Sequence, residues 1–296
     1  MRSTRSPFSP WVAAVTVGVA VGLAVPHAQA PQGPLPLEPN RERGTSVTPA
    51  YEGWFTNPDG TFTMLLGYMN RNSKQTFDIP VGPNNKIEPG LPDQGQPTHF
   101  ETGRQWGVVG VRVPKDFGTK KVTWTIIANG ETQAIPFGLN NPYNIAPMKE
   151  IGMGNEPPIF AFAQGQRAQG PPSSFSASYT GAVNAPVAVT LAVNDPKGLG
   201  QEAAPAGAPP AAGPAARRGP ASVATVSFHK YRGPGTVTFD KARIPVLKQG
   251  ETVTANATFS APGEYWLRVQ GNDESGEGGG GFQCCWTNAY VKVTIQ

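Results

Sequence analysis

The chain has few of the residues that most chemistry relies on. Only two cysteines and three histidines occur in 296 residues, and charged residues make up 15%. The cysteines are adjacent, Cys284 and Cys285, so no disulfide can tie distant strands within one chain. They are candidates for a vicinal disulfide, with burial as small reduced side chains the alternative. His27 lies in the N-terminal apolar region, and His99 and His229 are far apart in sequence, so a zinc site has almost no ligands to draw on. The chain contains no Gly-x-Ser-x-Gly elbow, His-Glu-x-x-His pair, phosphate loop or EF-hand loop. The formal charge of +4 is too small and too dispersed to argue for nucleic acid or an anionic membrane.

One apolar run stands out at the start. Arg2 and Arg5 precede an uncharged stretch from Trp11 to Val25, and Ala28-Gln29-Ala30 supplies a small-x-small cleavage pattern. Residues 1–30 are therefore expected to be a secretory signal, with Pro31 the first mature residue. The run is shorter than the roughly 20 residues of a membrane span, and no second one follows, so no span is expected after cleavage. The expected location is secreted or periplasmic. Without Arg2 and Arg5 the formal charge falls to +2.

Glycine and proline are plentiful, 36 and 32 residues, which excludes a helical bundle. Residues 31–47 are Pro-rich and read as a flexible leader. From Thr48 short alternating runs are punctuated by Gly, Pro and Asn, the pattern of strands and turns. Residues 48–138 read as one β-sandwich. Its expected strands are Glu52–Thr56, Thr61–Asn70, Gln75–Ile79, Trp106–Val113, Lys121–Ala128 and Glu131–Pro136. Asn129-Gly130 predicts a tight hairpin. Asn84 to Thr98 reads as a long irregular loop, and residues 139–156 as an interdomain linker. Residues 157–296 read as a second sandwich, interrupted by an Ala/Pro/Gly insertion at 201–220 that lacks the apolar bulk to order itself. The expectation is thus an all-β chain: two immunoglobulin- or fibronectin-like β-sandwich domains in tandem after a signal peptide.

The second module has further detail. It carries APVAVTLAVND, SVATVSFHKYRGPGTVTFD, ETVTANATFSAPGEYWLRVQGND and NAYVKVTI. This succession resembles the PKD-like and related immunoglobulin-like repeats of secreted bacterial proteins, over residues from about 183 to 296. Phe228 stands where such repeats usually carry Trp. The resemblance implies a spacer, adhesion or carbohydrate-associated module and seldom an enzyme. Gly263-x-Tyr265-x-Leu267 independently fits a tyrosine corner, with Tyr265, Leu267 and Val269 inward and Trp266 and Arg268 outward.

Candidate sites follow from this frame. Asn194 and Asp195 end one expected strand, and Asn272, Asp273 and Glu277 follow another at the same end. These oxygens could hold calcium, with turn capping the alternative. Trp266, Phe282 and Trp286 are candidate contacts for a glycan or protein partner, with packing under the loop the alternative. Trp54, Phe55 and Trp106 could likewise stack on sugar rings, with core packing the alternative. His229 is expected to be an exposed strand residue and His99 a loop residue. No cofactor other than calcium is expected. The function expected is a non-enzymatic binding or scaffolding protein with an unidentified protein or glycan partner. The alternative is a secreted hydrolase, or an accessory subunit of one, with its site at the domain junction; that would need polar groups from Asn84–Thr98 and Leu139–Glu156 to converge on one pocket.

Overall fold

The computed structural model describes residues 41–151, 154–163, 165–196, 222–273 and 284–296. The expected signal and most of the leader, the 201–220 insertion, Glu277 and Phe282 lie outside the described residues. The described chain is all-β; its helical content is a single 3-10 turn, Asn141–Tyr143. No helix among the described residues is long and apolar enough to cross a membrane.

The first sandwich uses β1 (Val47–Thr56), β2 (Phe62–Asn70), β3 (Phe77–Asp78), β4 (Asn85–Glu88), β5 (His99–Phe100), β6 (Gly103–Val113), β7 (Val122–Ala128) and β8 (Glu131–Phe137). Its sheets run β1-β2-β6 and β4-β7-β8, with β3-β5 as a short ribbon. Met64, Leu66 and Tyr68 on one side and Val122, Trp124 and Ile126 on the other are buried, as period-two alternation requires. At the hairpin, Ala128 pairs with Glu131, and Asn129 and Gly130 both have positive φ, which gives a two-residue turn matched to strand twist.

Two segments differ from the sequence reading. Asn84–Thr98 contains a strand, and its polar side chains replace missing backbone partners. Asn85 donates to the carbonyls of Ile79 and Pro97 at 3.0 and 2.7 Å and accepts from Trp124 Nε1 at 3.0 Å. The described part of 139–156 is likewise anchored by hydrogen bonds. Trp54 Nε1 donates to Asn140 O at 2.9 Å, the Ile145 amide donates to Trp54 O at 2.9 Å, and Asn155 donates to Asp273 at 2.7 Å. Neither segment has the periodicity of a core strand, because side chains rather than long ladders hold both.

The second sandwich uses β9 (Ile159–Phe162), β10 (Arg167–Ala168), β11 (Phe175–Gly181), β12 (Pro186–Asn194), β13 (Ala224–Arg232), β14 (Val237–Phe239), β15 (Arg243–Val246), β16 (Glu251–Phe259), β17 (Gly263–Asp273) and β18 (Trp286–Ile295). One sheet runs β10-β9-β12-β16-β14 and the other β11-β18-β17-β13-β15. β11 joins β18 in parallel, while its sheet mates are antiparallel. This is an immunoglobulin-like arrangement. Val189, Leu191, Phe228, Ala255, Leu267 and Val291 are among the side chains that fill the space between the sheets. The tyrosine corner is present: the buried Tyr265 hydroxyl donates to Ala261 O at 2.8 Å and accepts the Gly235 amide at 3.0 Å.

The outward face of the β18-β17-β13 sheet is not a solvent face. Tyr231 and Tyr290 are 1% and 8% exposed and join the core of the first sandwich. Arg268, read from sequence as outward, points away from its own core but is 2% exposed, because the first sandwich covers it. Trp266 is half-buried against Phe175, 4.6 Å between ring centroids, with the Arg232 guanidinium over its ring.

Candidate ligand cleft at the module junction

The junction is built from hydrogen bonds to main-chain carbonyls of the first sandwich. Tyr231 Oη donates to Gly95 O or Val108 O, at 2.7 and 3.0 Å. Asn288 donates to the carbonyls of Trp106 and Gly107 at 3.0 and 2.9 Å. Arg232 makes a bidentate pair with Asp93, both contacts 2.8 Å. Arg268 bonds the side chains of Asn288 and Gln105. Tyr231, Asn288 and Arg268 thereby have partners for polar groups that the junction buries, while the Arg232–Asp93 pair closes its solvent-facing edge.

Beside this seam the two modules leave a cleft of about 460 Å³. The ends of β3 and β5 bring Asp78 and His99, the β5–β6 connection brings Glu101, β13 brings Ser227 and His229, and β15 brings Arg243. The two histidines that sequence separates by 130 positions therefore face one space. His99 Nδ1 lies 2.9 Å from Asp78 Oδ1, and Lys230 Nζ donates to the same oxygen at 2.7 Å. Glu101 Oε1 stands 3.8 Å from His99 Nε2 and 4.0 Å from His229 Nδ1. On the adjoining wall Arg104 lies over the Trp106 ring, 4.0 Å from its centroid, and bonds Glu52 at 2.6 Å.

Burial pushes the Asp78 carboxyl up, but hydrogen bonds and charge from His99 and Lys230 outweigh it and bring it down to about 2. Burial is also the first cause of the His229 shift, and the nearby Arg268, His99 and Arg243 charges add to it. All four push the imidazole well below its ordinary value. Glu52 moves the other way: burial raises it against the opposing pull of Arg104.

His229 is a correction to the sequence reading. Its side chain is 20% exposed, and its Nε2 is buried with no hydrogen-bond partner. A histidine alternating with core residues reads as solvent-facing only while nothing covers that face. The cleft also does not come from Asn84–Thr98 together with Leu139–Glu156; its lining residues, on strands and the connections between them, lie outside both segments. A usable signal was present: His229, Tyr231, Trp266, Arg268 and Tyr290 cluster on the outward side of three neighbouring strands.

The other candidate residues are placed as follows. Asn194 pairs with Ile159 at the end of β12, and Asp195 is buried, with its amide donating to Gln249 at 2.7 Å. Asp273 accepts from Asn155, and Asn272 is buried. No group of three or more His, Cys, Asp or Glu is arranged to hold a metal among the described residues. Cys284 and Cys285 are joined by a disulfide, both buried, with Cys285 Sγ 3.3 Å from Asn155 O. Trp286 is 3% exposed, packed on Gly107 and 6.4 Å from Trp106. Trp54 is buried, and Phe55 and Trp106 are half-buried.

No family model matches the chain, and no curated protein matches it. Solved structures that resemble it include the D00-D0 domain of intimin, at 11% identity and TM-score 0.27, covering 84% of this chain and 99% of that one. Domains 4 and 5 of the S-layer protein SbsC match at 11% identity and TM-score 0.23, covering 85% and 98%. Titin domains z1z2, solved in complex with telethonin, match at 11% and 0.22, covering 85% and 98%. Similarity at this level carries no argument about function.

Proposed function

We propose that this chain is an exported, non-enzymatic binding protein whose two sandwiches together present one ligand cleft. The observation that carries the reading is the cleft itself, about 460 Å³ and walled by both modules. Its size suits a small ligand, and its few convergent polar groups suit specific recognition. Export rests on the N-terminal apolar run with its cleavage pattern, and the vicinal disulfide is compatible with it. The PKD-like resemblance belongs to the same reading, since such modules accompany carbohydrate or protein partners.

Calorimetry against a panel of neutral sugars, acidic sugars and small carboxylates tests it. At least one class is expected to bind. Thr236→Trp, which places a large ring at the cleft rim, is expected to weaken that binding about tenfold or more. Absence of binding across the panel, or full binding by the variant, would count against the cleft.

A hydrolase at the same place is the second reading. It is favoured by the His99–Asp78 pair and by Ser227 on the adjoining wall. Turnover of ester or glycoside substrates that disappears in His99→Gln would establish it; no turnover in the unmodified chain removes it.

A further inference from the structure

Among the described residues that line the cleft, the charges are partly spoken for. Asp78 is held by His99 and Lys230, and Arg104 is bonded to Glu52. Glu101 is then the carboxylate that faces both imidazoles, yet at 3.8 and 4.0 Å it hydrogen-bonds neither ring. The cleft's other carboxylate, Asp78, is shared by His99 and Lys230, and the charges that bear on His229 itself are cationic or become so on protonation: Arg243 from β15, Arg268 from β17 and His99 from β5. A proton added to His229 would therefore meet the repulsion of Arg268 and Arg243, with Glu101 the carboxylate standing 4.0 Å from its ring. The neutral ring in turn leaves a buried Nε2 unpartnered, which is itself unfavourable.

An anion in the cleft resolves this conflict, since it offsets the cationic cluster and favours the protonated ring. We propose, resting on the cleft reading above, that the ligand is an oxyanion, a carboxylate or sulfate group, and that it binds together with one proton taken up by His229. The sign follows from linkage. With the empty-cleft imidazole held below its ordinary value and the occupied one raised, the bound state carries more protons, so affinity rises as pH falls. Once the bound form is protonated and the empty form is not, the gain is roughly tenfold per pH unit.

The experiment is isothermal titration calorimetry of the full chain with D-glucuronate, inorganic sulfate and D-glucose at constant ionic strength. Titrations at about pH 7.5 and about pH 5.5 span the imidazole range. Each is repeated in buffers of different ionisation enthalpy. Glucuronate or sulfate is expected to bind, more tightly at the lower pH, with a buffer-dependent heat that reports uptake of close to one proton. The arm that binds better identifies carboxylate or sulfate as the natural group. His229→Gln is expected to bind the anion more weakly at about pH 5.5, with no rise in affinity as pH falls and no proton uptake. If that variant does not fold, the buffer series on the unmodified chain decides alone. Glucose binding as well as glucuronate, or anion binding whose heat is independent of buffer, overturns the oxyanion and proton coupling but leaves the cleft reading standing. Absence of binding by all three overturns this proposal, while the wider panel above decides the cleft.

Discussion

Tyr231→Ala is expected to lower the stability of the folded chain by about 3–5 kcal/mol, the usual cost of removing a large buried ring. It is also expected to split one thermal transition into two. Tyr231 is 1% exposed, sits in the core cluster of the first sandwich although it belongs to the second, and ties its hydroxyl to Gly95 O and Val108 O. Its ring also lies near those of Tyr290 and Trp266, at 4.9 and 6.2 Å. The side chain is thus shared property of both modules, and cooperative melting depends on it. Tyr231→Phe keeps the ring and is expected to cost about 1–2 kcal/mol, chiefly through the Gly95 carbonyl, since Val108 O still accepts from Tyr290 Oη, with one transition retained. Differential scanning calorimetry distinguishes these outcomes. A single transition in Tyr231→Ala, with a loss below about 1 kcal/mol, would show that the junction contributes little to folding.

The second large effect is expected at Gly233. Its φ is +137, and a Cβ added there would overlap the carbons of the Tyr265 ring. Gly233→Ala therefore combines backbone strain of about 1–3 kcal/mol with an overpacked core costing a similar amount. A total loss of about 3–5 kcal/mol by urea denaturation is expected from these two sources. Gly82→Ala is the internal comparison: φ is +155 there, but no atom lies within 4 Å of an added Cβ. It should lose only the backbone share. Equal losses in the two variants would mean that contact with Tyr265 does not matter.

Much of the second sandwich was readable because its physics is local. Alternation placed Leu267 and Val269 inward, and Gly263-x-Tyr265 placed a hydroxyl where a loop needs a partner. β15 was harder, since Pro245 inside a four-residue run argues against a strand; it is tolerated here because β15 ends its sheet. β11, Phe175–Gly181, gives little strand signal, since its residues are mostly small and polar and its pairing is parallel and distant in sequence. The cleft was illegible for a different reason. A period of two says which residues leave a core, not what they meet afterwards. Polar residues at the outward positions of β13 and β17 look the same whether water or another sandwich lies opposite. Only the aromatics at Tyr231, Trp266 and Tyr290 hinted that something covers that face.

The covered face also bears on how the two halves can change through descent. Outward positions of β13, β17 and β18 answer to the carbonyls of residues 95–108 as well as to their own sheet. A substitution at Tyr231, Arg268 or Asn288 is therefore permitted only alongside an accommodating change in the other module. The halves should be inherited together, and pairs such as Arg268 with Gln105, or Arg232 with Asp93, should vary in step. A descendant that lost the first sandwich would be expected to replace these aromatic and buried polar residues with ordinary soluble ones while its inner alternation stayed unchanged.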